Sequence, residues 1–128
     1  MVRRRTFWLA PAVLLLVTVV GVRAQGDERI AVEEFKRLVA DNGVVILDVR
    51  NGEIDRKIKG ALHMPYNDIE ARAGELPRDR EIVTQCKMGG RSAKAQEFLK
   101  SVGFSNVKNL KGGILAWIDR VDPTQPKY

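Results

Sequence analysis

Residues 81–103 read EIVTQCKMGGRSAKAQEFLKSVG. The first part, Glu81 to Cys86, is short and holds the β-branched Ile82, Val83 and Thr84 in succession, and it is read as a buried strand. The last part, Ser92 to Val102, places Ala93, Ala95, Phe98, Leu99 and Val102 on one broad helical face and is closed by Gly103. Between them, Lys87 to Arg91 contain two adjacent glycines, so the stretch predicts a strand, a tight loop and a helix in succession.

The same alternation continues in both directions. Upstream, Val32 to Ala40 repeats Phe35, Leu38 and Val39 at helical spacing, and Asp41-Asn42-Gly43 supplies a stop. Val44 to Val49 is a continuous apolar strand signal, Gly60 to Pro65 a second short strand, and Asn67 or Asp68 can cap a brief helix through Ala73. Downstream, Asn106 to Leu110 predicts a fourth strand, Gly112-Gly113 a turn, and Ile114 to Val121 a last helix ended by Asp122-Pro123. Trp117 is expected to pack that helix on the sheet. Strands alternating with helices give an α/β domain with a mainly parallel central sheet and helices on its faces.

The N-terminal segment lies outside this pattern. Arg3, Arg4 and Arg5 precede an apolar run from Phe7 to Val22, and Val22-Arg23-Ala24 fits a signal-peptidase site, so residues 1–24 are read as a secretory signal peptide. The alternative is a membrane anchor formed by residues 7–22, shorter than the roughly 20 residues a spanning helix needs. Arg4-Arg5 also leaves a twin-arginine export signal open beside the general secretory one. Export to an oxidising compartment, the periplasm, is the resulting expectation. The segment holds four of the 22 Lys and Arg and none of the 16 Asp and Glu, leaving 18 basic against 16 acidic residues. That near balance, with no basic cluster interleaved with aromatics, argues against nucleic acid as a partner. Membrane is a partner only if the segment is retained.

Cys86 is the single cysteine of the chain and cannot form an internal disulfide. It ends a predicted central strand of a parallel sheet, where ligands of such sheets bind. Gly89 and Gly90 permit positive φ, so the loop amides can turn inward as an anion nest, aided by the helix N-terminus at Ser92 and by the charges of Lys87 and Arg91. Each of these features favours a thiolate over a thiol, and a thiolate is a nucleophile. The bland reading is a structural cysteine before a generic Gly-Gly turn.

The loop Cys86-Lys87-Met88-Gly89-Gly90-Arg91-Ser92 resembles the active-site loop of rhodanese sulfurtransferases. The likeness extends to Leu47-Asp48-Val49-Arg50, to Ile58 through Pro65, and to Leu110 through Trp117, four motifs in order over residues 28–124. It implies the rhodanese-like three-layer fold and a sulfurtransferase in which Cys86 takes sulfane sulfur from a small anionic donor such as thiosulfate. The cysteine would hold it as a persulfide and pass it to a small-molecule or protein thiol acceptor, with no cofactor and no metal. The remaining loop residues, Lys87, Met88, Gly89, Gly90, Arg91 and Ser92, would bind the anion, with Asp48 and Arg50 supporting the loop or ending a strand in a local salt bridge. Related phosphatases have five residues between Cys and Arg, and this loop has four, a ring suited to one sulfur atom. His63, the only histidine, is read as structural. The closest likeness is to the rhodanese domain of molybdopterin-synthase sulfurylases, whose ending resembles Asp122 to Tyr128. With an export signal and no adenylating domain in view, that pathway's acceptor is not carried over. Two other readings stay open: a sulfur-carrier or partner-binding module without turnover, and a thiol redox sensor.

Overall fold

Residues 28–52 and 58–126 are described by a computed structural model; the expected signal peptide (1–24) and the alternative anchor (7–22) lie outside them. The elements run β1 (Arg29–Ile30), α1 (Val32–Ala40), β2 (Val45–Asp48), β3 (Leu62–His63), α2 (Ile69–Arg72), β4 (Ile82–Gln85), α3 (Gly90–Ser101), β5 (Val107–Leu110) and α4 (Gly113–Arg120). All strand pairs are parallel, in the order β1-β5-β4-β2-β3. The strand that opened the sequence reading is thus the middle of the sheet, and all four of its residues are buried.

Side chains alternate along these strands, and each set meets a different helix layer. Leu47, Val49 and Ile82 pack with Ile69 and Ala73 of the α2 region and with Ala95 and Leu99 of α3. Ile46 and Val83 pack with Phe35 of α1 and with Ile114, Trp117 and Ile118 of α4. Trp117 stands edge-on to Phe35 with ring centroids 5.5 Å apart, which fixes α4 against α1. The result is three layers, with the predicted mainly parallel sheet in the middle.

Three expectations need correction. The sheet has a fifth strand, β1, which is only two residues long and offers no period to read; it is held by the Asn109 and Lys111 N–H groups, each 2.9 Å from the Glu28 and Ile30 carbonyls respectively. The helix after the cysteine loop starts at Gly90, and Ala93 and Val102 lie outside its buried face, which is Ser92, Ala95, Gln96 and Leu99. Two of those are polar and buried because they are bonded: Gln96 Nε2 donates to the carbonyls of Glu28 (2.7 Å) and Val107 (3.0 Å). Neither Asn67 nor Asp68 caps α2 through its side chain; a 3₁₀ turn over Tyr66–Asp68 leads into it instead.

Candidate active site

Cys86 is the first residue after β4, and its side chain is 2% exposed, so the sulfur lies beneath the loop and not on the surface. The chain then needs only three residues to reach the first turn of α3. Such a short link requires one backbone reversal, which occurs at Gly89 with φ 117°. A side chain there would meet its nearest neighbours at an ordinary 3.8 Å, so the backbone conformation selects glycine and the available space does not. Gly90 does not share this demand: its φ is not positive, and it is simply the first residue of α3.

The reversal directs the Gly89 N–H at Cys86 Sγ, 3.1 Å away. Its carbonyl points the other way and accepts from Asn109 Nδ2 and from the Ala93 N–H, each at 3.1 Å. Ser92, fully buried two residues into α3, donates its hydroxyl to the same sulfur at 3.3 Å. Its own carbonyl is fixed by the Thr84 hydroxyl at 3.0 Å, and that hydroxyl also lies 3.3 Å from the Lys108 carbonyl. Strands β4 and β5 therefore brace the loop through Thr84 and Asn109. Sequence reasoning passed over both: β4 (IVTQ) and β5 (VKNL) each carry two polar residues, and which of them reach the loop depends on how β5 and α3 pack beside β4.

Burial by itself pushes the Cys86 thiol up. The Ser92 hydroxyl, with the N–H groups of Ser92, Gly89 and Met88, outweighs burial and holds the thiol below its ordinary pKa. These are all dipoles. Arg91, expected to supply formal charge, is exposed and is not among the described groups that lower the thiol. Lys87 is exposed as well, and Met88 presents a side chain that is 69% exposed while its N–H faces inward. The loop thus has a polar interior made of backbone and an outer rim of long side chains.

Asp48 and Arg50 form a local ion pair, but a buried one (0% and 5% exposed). The guanidinium reaches both carboxylate oxygens, at 2.7 to 3.1 Å, and the Arg50 N–H adds a further bond at 3.0 Å. Asp48 is in register with Gln85, so the pair stiffens the strand end next to the nucleophile. His63 Nε2 lies 2.6 Å from the Arg50 carbonyl, a backbone contact of the structural kind expected. Among the described residues no group of three or more His, Cys, Asp and Glu could hold a metal ion. One and nearly two turns along α3 from Ser92, Ala95 and Phe98 join Tyr66, Asn67, Ile69 and Glu70 around a cleft of about 360 Å³.

The geometry fits what comparison with known proteins finds. The chain is 39% identical over 84 residues to a sulfurtransferase of Allochromatium vinosum, covering 64% of this chain and 78% of that one. It is 34% identical over 120 residues to the adenylyltransferase and sulfurtransferase UBA4 of Saccharomyces cerevisiae, covering 80% of this chain but only 27% of the yeast protein. A rhodanese-related protein of Thermoplasma volcanium superposes with TM-score 0.67 at 28% identity, over 73% of this chain and 92% of that one. Residues 31–120 match the rhodanese-like domain family, and with the parallel five-stranded sheet and the loop set at its centre, the chain belongs to that family of sulfurtransferases.

Proposed function

We propose that Cys86 is the nucleophile of a thiosulfate-type sulfurtransferase. The thiolate attacks the outer sulfur of the donor, the donor's S–S bond breaks, and its electron pair leaves with sulfite. The Cys86 persulfide then loses its outer sulfur to an acceptor nucleophile, and the departing electron pair restores the thiolate. The observation that carries the reading is the convergence on Sγ of the Gly89 N–H at 3.1 Å and the Ser92 hydroxyl at 3.3 Å. Donors fixed in this way stabilise charge on sulfur without reorganising during the reaction.

Persulfidation places the reactive atom about 2 Å beyond the buried Sγ, one S–S bond length, which suits a carrier whose acceptor stays outside the loop. The cleft beside α3 has the size of a small-ligand site and is where we place the body of a small thiol acceptor. The test is steady production of thiocyanate from thiosulfate and cyanide. Activity that persists in Cys86→Ser would remove the cysteine from the mechanism.

The exposed Met88 above a buried Cys86 favours a second reading, in which a docked protein partner supplies or takes the sulfur without turnover of free thiosulfate. Persulfide formation only in a partner's presence supports this reading, and thiocyanate turnover by the isolated chain excludes it. On the sequence of residues 1–24 we also propose export, with cleavage after Ala24.

A further inference from the structure

The first turn of α4 lies against the cysteine loop. The Ile114 N–H donates to the Cys86 carbonyl at 2.8 Å, and the Leu115 N–H donates to the Lys87 carbonyl at 3.2 Å. A trans peptide is planar, with its C=O and the following N–H on opposite sides. Tying the Cys86 and Lys87 carbonyls to α4 therefore turns the N–H groups of Lys87 and Met88 away from α4. The Met88 N–H is one of the groups that act on Sγ.

This approach is possible only because residue 113 has no side chain. A Cβ at Gly113 would lie 2.4 Å from the Lys87 carbonyl oxygen and 2.6 Å from that of Cys86, both backbone atoms. Either the loop or the helix would have to move, and Ile114, Trp117 and Ile118 hold the helix in the core. Gly112 provides a contrast within the same turn. It too has positive φ, 80° against 61° for Gly113, but a Cβ there would meet Ala116 of its own helix at 2.8 Å and nothing in the loop.

We propose that Gly113 and the first turn of α4 are the positioning element of the nucleophile: they clamp the Cys86 and Lys87 carbonyls and thereby aim the loop N–H groups at the sulfur. The inference deepens the proposed role of Cys86. Its test reads the thiol alone, with no sulfur donor, so it can fail while sulfur transfer stands, and the reverse.

The experiment titrates the thiolate ultraviolet absorbance of the full chain against pH, with Cys86→Ser as blank, in Gly113→Ala and Gly112→Ala. A hydrogen bond to a charged group is worth about 1.5–3 kcal/mol, so its loss weakens the acid by about tenfold or more. Gly113→Ala is expected to lower the thiol's acid dissociation constant by at least about tenfold while thermal unfolding stays cooperative. Gly112→Ala is expected to lose stability with the titration unmoved. A wild-type titration in Gly113→Ala, or equal displacement in both variants, overturns the proposal. If Gly113→Ala does not fold, Leu115→Pro decides: it removes the donor to the Lys87 carbonyl without removing a bond of the helix itself, whose ladder begins with the Ala116 N–H on the Gly112 carbonyl at 3.2 Å. A weaker acid supports the clamp there, and an unchanged one overturns it.

Discussion

Replacing Ser92 by alanine removes one atom from the sulfur's surroundings and little else. The Ser92 backbone keeps its bond to Thr84, and the helix keeps its first turn. What is lost is a hydroxyl donor 3.3 Å from Sγ in a fully buried position. For a single bond of this length to sulfur we take the lower part of the range for charged partners, about 1.5–2 kcal/mol, which weakens the thiol as an acid by about 10- to 30-fold. The remaining thiolate is more nucleophilic, and a Brønsted slope of about 0.4–0.5 returns roughly the square root of that factor. Alkylation by iodoacetamide should therefore slow about 3- to 6-fold at pH values where both proteins are mostly protonated. The sign reverses at high pH, where both are ionised and the variant should react at least as fast as the parent. The assay is the alkylation rate across pH, with the variant's profile displaced to higher pH. A profile of unchanged position, or a drop by one constant factor at every pH, would refute the hydrogen-bond account of the lowered thiol.

The other predictions concern the frame. Asp48→Ala removes the buried carboxylate that accepts from the Arg50 guanidinium and the Arg50 N–H and should cost about 1.5–3 kcal/mol in urea unfolding, the worth of hydrogen bonds to a charged group. Gln85 is fully buried, and neither its amide nitrogen nor its amide oxygen has a hydrogen-bond partner among the described residues, so Gln85→Leu should leave stability unchanged or raise it by about 1 kcal/mol in the same assay. Expressed with residues 1–24 in a Gram-negative host, the chain should be recovered from the periplasm with an intact mass that begins at Gln25, as glutamine or pyroglutamate; an intact Met1 in the membrane fraction supports the anchor instead.

Most of the frame was legible in the sequence because β2, β4, α1 and α4 each carry enough apolar residues in one period to declare themselves. The exceptions share a cause. β1 is two residues long, and the buried face of α3 includes Ser92 and Gln96, which a search for apolar residues rejects although hydrogen bonds let them in. At the site, Cys86 and the Gly89 reversal could be read from the loop itself. The source of the thiolate's stabilisation could not. The sequence offered Arg91 as a charge, whereas the structure supplies dipoles, because a loop this short turns N–H groups inward and leaves the guanidinium outside. A local salt bridge at Asp48 and Arg50 was one of the readings the sequence offered, but that the pair is buried at the end of β2 was not. The contributions of Thr84, Asn109 and Gly113 depend on which strand and helix lie beside β4, a long-range fact that local pattern does not contain.

The central claim is that Cys86 carries sulfur. Its most direct test is the intact mass of the chain after incubation with thiosulfate and removal of excess donor, followed by mapping of the modified peptide. The account predicts a gain of one sulfur atom, located on Cys86, discharged by cyanide and absent in Cys86→Ser. A chain that takes up no sulfur from thiosulfate or from any protein partner, or takes it up at a residue other than Cys86, would contradict it.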